Sequence, residues 1–290
     1  MPKALINNTN IFYEVTGNGF PIVWSHEFGG AYDSWDPQVS YFARRYQVIT
    51  YNNRGYQPSD VPENDDAYSQ DQSVDDLHQL LSFLGIKEAF IGGLSMGGSI
   101  ALNFGLTHPE MCKGLIVAGA GTGSTDTERF ARETSAVADR LETEGISQWA
   151  AEYAEGPTRV QLKRKNPKGW ETFRNSLLAH SAQGSAFTIR NVQGKRPSLF
   201  SLVEDLKKLL VPTLIIAGDE DDPCIEPAIF LKQLIPYSGL ALFPQSGHTV
   251  NLEEPELFNA IVNDFLTSVE AGRWAQRDPG SGVGFLASKD

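Results

Sequence analysis

Cysteine is nearly missing from this chain, with only Cys112 and Cys224 in 290 residues. Two thiols cannot build a disulfide framework. Each sits beside an apolar or proline-bearing segment, where cysteine acts as a small buried hydrophobe. Basic charge is also scarce: 24 Lys and Arg face 36 Asp and Glu, a balance of −12 with His neutral. A field of that sign repels phosphate backbones and anionic lipid, so neither nucleic acid nor membrane is an expected partner. No apolar run approaches the roughly 18 residues of a spanning helix. The segment before Phe20 also lacks the apolar centre of a secretory signal. These deficits point to a protein of the reducing cytoplasm with a small-molecule partner.

What is present is core-forming material. Apolar residues make up 41% of the chain and aromatic residues 10%, which excludes a disordered or fibrous chain. The length suits one large core, or a core carrying a smaller insert.

Residues 4 to 15 alternate apolar and polar and break at Asn7, Asn8, Thr9 and Asn10, which predicts a hairpin. Strands are predicted at Pro21–Ser25, Gln47–Tyr51, Ala89–Gly92, Gly114–Ala118, Leu214–Gly218 and Leu240–Phe243. Helices are predicted between them at Asp33–Phe42, Asp71–Leu84, Met96–Leu106, Pro227–Leu234 and Glu254–Val269. This alternation predicts an α/β fold, a mainly parallel sheet with helices on both faces. It is broken once, by a helical, charge-rich block over 124–205 after the sixth strand. The expected organisation is a core of 1–123 and 206–270, a helical cap of 124–205, and an irregular tail of 271–290. Phe285 and Leu286 in that tail are candidates to dock on the surface.

Gly93-Leu94-Ser95-Met96-Gly97 falls between a short apolar strand and a helix. A Gly-x-Ser-x-Gly turn in that context lifts the serine hydroxyl clear of the sheet, flanked by glycines that avoid collision. The first amides of the following helix then face the same space, and the Met96 N–H is a candidate oxyanion donor. A serine needs a base, and of His26, His78, His108, His180 and His248 only His248 lies beyond the last strand and before the last helix. Loops at that edge of a parallel sheet carry catalytic groups. The orienting acid should lie beyond the preceding strand, where Asp219, Glu220, Asp221 and Asp222 stand in a row that residue chemistry alone does not resolve. Paired-carboxylate chemistry is the rival use of that cluster, but it accounts for neither the serine turn nor His248.

With these elements placed, the chain resembles the α/β-hydrolase fold family over about residues 10 to 270, in the order serine, acid, histidine. The family's Gly-x-x-Asp pattern falls on Gly218-Asp219-Glu220-Asp221, so the resemblance implies Asp221 as the acid, with Asp219 as the fallback. Its His-Gly-x-Gly loop matches His26-Glu27-Phe28-Gly29, with Glu27 where the first glycine is usual. That match implies a second oxyanion N–H from Phe28 and a loop-bracing role for His26. Asn52-Asn53-Arg54-Gly55-Tyr56-Gln57-Pro58-Ser59 resembles a further family loop and implies a structural Arg54. The expected activity is hydrolysis of a small or medium carboxylic ester or lactone by Ser95, His248 and Asp221, with no cofactor and no metal. Carbon–carbon or amide hydrolysis by the same triad is the alternative, and a non-catalytic small-molecule-binding protein is the reading from another class. Trp149, Tyr153, Trp170, Phe173, His180 and Phe187 are the pocket candidates. Lys163, Arg164, Lys165 and Lys168 are expected on a solvated cap surface.

Overall fold

The computed structural model describes residues 2–278. Its strands are β1 Lys3–Ile6, β2 Thr9–Thr16, β3 Phe20–Ser25, β4 Tyr46–Tyr51, β5 Ala89–Leu94, β6 Cys112–Ala118, β7 Thr213–Gly218 and β8 Ser238–Phe243. They form one sheet in the order β1-β2-β4-β3-β5-β6-β7-β8. β1 and β2 pair antiparallel, as do β2 and β4, and every pairing from β4 through β8 is parallel. The β1–β2 hairpin turns on Asn7 and Asn8, both at positive φ (49° and 58°), a backbone asparagine tolerates better than most residues.

The helices are α1 Asp36–Phe42, α2 Gln70–Phe83, α3 Met96–Thr107, α4 Thr127–Glu144, α5 Ile146–Ala154, α6 Val160–Lys165, α7 Pro167–Leu178, α8 Ala182–Phe187, α9 Val203–Lys208, α10 Asp222–Leu234, α11 Val250–Glu253 and α12 Pro255–Glu270. Strand residues alternate between two cores. Ile22, Trp24 and Phe90 pack towards α1 and α12, whereas Val23, Ile91 and Leu115 pack towards α2, α3 and α10. Trp24 and Trp35 stack at 4.5 Å in the first core. Between β6 and β7 the described chain is helical or irregular, with no strand.

Three expectations are corrected. The helix predicted over 33–42 is a 3-10 turn, Tyr32–Trp35, followed by α1. The Pro227–Leu234 helix begins five residues earlier at Asp222, with Pro223 in its first turn and Pro227 inside it. Proline suits a helix start because its missing N–H is unneeded there, so the later proline drew the boundary too far along. Within the basic run Lys163, Arg164 and Lys168 are exposed as expected, and the correction falls on Lys165, which is half-buried. Lys165 Nζ bonds Glu254 at 2.6 Å and Ser246 Oγ at 2.9 Å, and Arg164 reaches the Gln245 carbonyl at 3.2 Å.

Residues 271–278 hold neither helix nor strand, and Trp274 ties them down by donating to the Tyr237 carbonyl at 2.8 Å. The docking expected of Phe285 and Leu286 lies outside the described residues. Among the described residues no helix is long and apolar enough to cross a membrane.

Candidate active site

β5 ends at Leu94 and α3 begins at Met96, so Ser95 alone makes the turn, at φ 57° and ψ −111°. A non-glycine residue held there costs on the order of 1–3 kcal/mol and persists only where its surroundings over-determine it. They do: the Ser95 N–H donates to the Ala118 carbonyl at 2.8 Å, and the Ser95 carbonyl accepts from Ser99 at 2.9 Å. A Cβ on Gly93 would meet the Gly97 carbonyl at 2.2 Å, and one on Gly97 would meet the Ser25 carbonyl oxygen at 2.0 Å. Neither position admits a side chain. Met96 is the first helical residue, and a helix's first N–H groups have no acceptor within the helix.

The loops after β7 and β8 are stitched together at the same edge of the sheet. The Glu220 N–H donates to the Ser246 carbonyl at 2.9 Å, and the Ser246 N–H to Asp219 Oδ1 at 3.2 Å. This stitching resolves the four carboxylates: Asp221 is buried, while Asp219, Glu220 and Asp222 are exposed. His248 Nδ1 donates to Asp221 Oδ2 at 2.7 Å, with both side chains nearly solvent-free. Burial alone would lower the imidazole's affinity for a proton. The adjoining Asp221 carboxylate outweighs it and raises the His248 pKa above its ordinary 6.5. Burial would likewise raise Asp221, but the imidazole's charge and hydrogen bond carry it below its ordinary 3.8. With Nδ1 bonded, Nε2 is left to act as a base. A Cβ built on Gly119, next to the acceptor of the Ser95 N–H, would lie 3.5 Å from the His248 ring, so serine and imidazole converge on one strand end.

Sequence reasoning missed Glu253, which holds the His248 loop. Its buried carboxylate accepts from Gly247 N at 2.7 Å, Thr249 N at 3.0 Å and Thr249 Oγ1 at 2.9 Å. Nothing in the sequence marks it, since it lies in a helical turn among other acids. Asp221, Cys224 and His248 bring three metal-type ligand atoms within 4.8 Å of one another, two of which already share the Nδ1 proton.

The loop after β3 is fixed from several sides. His26 Nδ1 donates to the Glu27 carbonyl at 2.7 Å, and its Nε2 accepts from the Asn53 N–H at 3.1 Å. These partners require a neutral ring, and burial lowers the His26 pKa to about 4. Gly30 N also donates to the Glu27 carbonyl, at 3.2 Å, and Tyr56 Oη donates to the Phe28 carbonyl at 3.0 Å. The Glu27 carbonyl and the Phe28 N–H belong to one planar peptide, so holding the carbonyl aims the N–H the opposite way. Arg54 forms a buried bidentate pair with Asp76 at 2.6 and 2.7 Å and donates to the Ala67 carbonyl at 2.8 Å.

Of the pocket candidates, Trp149 and Tyr153 lie edge-on to Phe28 at 5.8 and 6.4 Å, and Phe173 approaches Gly29. His180 stands edge-on to Tyr56 at 5.2 Å. Its two enclosed ring nitrogens have no hydrogen-bond partner among the described residues, and burial lowers its pKa to about 3. Phe187 turns instead to Tyr68 at 5.4 Å. Trp170 is used within the helical block, where its indole N–H donates to the Ala154 carbonyl at 2.6 Å and Lys163 covers its ring. Arg159, which the sequence did not single out, is fully buried against Glu27.

A sequence profile described as alpha/beta hydrolase fold matches residues 21–255. The chain is 29% identical over 253 residues to the putative 2-succinyl-6-hydroxy-2,4-cyclohexadiene-1-carboxylate synthase of Bacillus subtilis (strain 168), covering 86% of this chain and 90% of that protein. It is 29% identical over 254 residues to 3-oxoadipate enol-lactonase 1 of Acinetobacter baylyi, covering 87% and 91%. The malate-bound thermophilic esterase from Thermogutta terrifontis superposes with a TM-score of 0.84 at 26% identity, covering 92% of this chain and 98% of that one.

Proposed function

Because the chain belongs to the α/β-hydrolase fold family, we propose that it is a serine hydrolase cleaving a small or medium carboxylic ester or lactone through an acyl-enzyme on Ser95. The observation that carries this reading is the buried 2.7 Å bond from His248 to Asp221, with the His248 ring beside the end of β6, to whose last residue Ser95 is hydrogen-bonded. That bond sets the imidazole tautomer and leaves Nε2 free to take a proton. The choice of ester or lactone draws on the lactonase and esterase just described.

His248 Nε2 removes the Ser95 proton as Oγ attacks the carbonyl carbon, and Asp221 stabilises the imidazolium that forms. The carbonyl oxygen becomes an oxyanion held by the Phe28 and Met96 N–H groups. His248 then gives its proton to the leaving oxygen, which departs as an alcohol, or stays attached as a hydroxy-acyl chain when the substrate is a lactone. Water, deprotonated by His248, attacks the acyl carbon, and collapse of the second oxyanion releases the acid and restores Ser95. The helical block over 124–205 serves as the cap, with Trp149, Tyr153, Phe173 and His180 nearest the chemistry.

The test is hydrolysis of matched p-nitrophenyl esters, lactones and anilides at neutral pH, with Ser95→Ala as the blank. Turnover of esters or lactones that the substitution abolishes is expected. Serine-dependent turnover of anilides alone, or of none of these, would refute the ester and lactone reading.

A further inference from the structure

Glu27 and Arg159 form an ion pair that joins two parts of the molecule otherwise far apart in sequence. Glu27 lies on the loop after β3, and Arg159 caps the start of α6 in the helical block. Their side chains are 2% and 0% exposed, and an Arg159 Nη2 N–H donates to Glu27 Oε2. Nη2 also donates to Tyr153 Oη at 2.9 Å, and Nη1 donates to the Thr158 carbonyl at 3.0 Å. The guanidinium lies over the Tyr153 and Phe173 rings at 4.9 and 4.7 Å. Glu27 stands where the loop pattern ordinarily has glycine, and it immediately precedes Phe28.

Either charge buried alone would be strongly unfavourable, so each makes the burial of the other possible. Breaking the pair therefore weakens the seat of the helical block on the core. The loop's side chain, in turn, is fixed only when the block is seated. The core holds the Glu27–Phe28 peptide through His26 and Gly30, Tyr56 holds the next peptide by the Phe28 carbonyl, and Arg159 adds a tether from the block through the Glu27 side chain. The Phe28 N–H belongs to the Glu27–Phe28 peptide, so a tether on the Glu27 side chain adds to the bonds on the Glu27 carbonyl that aim it.

We infer that Glu27 and Arg159 are positioning residues that couple seating of the helical block to the aim of the Phe28 oxyanion donor. This inference rests on the serine-hydrolase reading, and its test separates the two. Wild type, E27Q, R159Q, E27Q/R159Q and R159K are assayed with p-nitrophenyl acetate for kcat and KM, and with a fluorophosphonate for the rate of Ser95 labelling. Loss of one oxyanion donor costs about 100- to 1000-fold in kcat. A donor misaimed rather than removed should cost about 10- to 100-fold, with KM within about threefold and labelling slowed in parallel. The double variant should be no slower than the slower single one, because the two act as a unit, and R159K should recover most of the loss.

A raised KM with unchanged kcat would make the pair a substrate contact and overturn the inference. So would losses that multiply in the double variant, or lower thermal stability with unchanged kcat. Should a single variant not fold, the double variant, which leaves no unpaired charge, decides the question through its own kcat. Absence of Ser95 labelling and turnover in wild type would overturn both readings, whereas wild-type labelling unaltered by E27Q would overturn this one alone.

Discussion

Replacing Asp221 by Asn tests the candidate site with little change of shape. Asp221 Oδ2 accepts the His248 Nδ1 proton at 2.7 Å inside a nearly solvent-free pair. An asparagine amide of the same size can turn its NH2 towards Nδ1, which then must accept. The imidazole proton moves to Nε2, the atom that receives the serine proton in the proposed mechanism, and the proposed base is lost. In the best-studied triad this change lowers kcat about 10⁴-fold, and at 1.36 kcal/mol per decade that is about 5.4 kcal/mol of transition-state stabilisation. The assay is kcat on whichever ester the panel selects, with Ser95→Ala as the floor. An NMR titration of the His248 ring gives an independent reading. Asp221 contributes more than Cys224 to raising that pKa, so in Asp221→Asn burial should prevail over the Cys224 contact and the pKa should fall below 6.5. A kcat loss under tenfold, or an imidazole still titrating above 6.5 in the variant, would refute the assigned geometry.

Activity should rise with pH through an acid limb above 6.5, because His248 must lose the proton that Asp221 helps it keep; a pH profile of kcat/KM centred below 6.5 would contradict this. The pair's contribution to stability should be complete between 3.8 and 6.5, fading as pH falls through the lowered Asp221 pKa and as pH rises through the raised His248 pKa. Urea melts of wild type and Asp221→Asn, carried from below 3.8 to well above 6.5, measure it. Gly97→Ala should abolish soluble activity, since its Cβ would sit 2.0 Å from the Ser25 carbonyl oxygen, and full activity would show that the turn has room to spare. Glu27→Gln or Arg159→Gln should each cost about 3–5 kcal/mol of unfolding free energy, with the double variant costing clearly less than the sum. Both thiols are buried, and burial pushes their pKa values up, so Ellman's reagent should find neither in the native protein and two after denaturation.

The layered α/β architecture was legible in the residue pattern, because strand and helix periodicities differ and each apolar stretch declares its own. The same pattern marked the serine turn and His248, whose proposed roles require particular residue types at the ends of elements. Their neighbours needed the fold. Asp219, Glu220, Asp221 and Asp222 are chemically alike in a row, and only the turn after β7, stitched to the loop after β8, buries Asp221 against His248 and leaves the others exposed. The family resemblance favoured Asp221, but composition and spacing had no means of choosing it. The same limit applies to the aromatic residues of the helical block. Trp149 and Trp170 look equivalent as letters, yet one meets Phe28 while the other packs among its own helices, because a helix's facing is set by what it docks against. Glu27 and Arg159 are 132 positions apart, and in a chain of this acidity neither stands out. What joins them is burial, which makes an isolated charge too costly to keep, and burial is a property of the folded molecule that no local window of sequence contains.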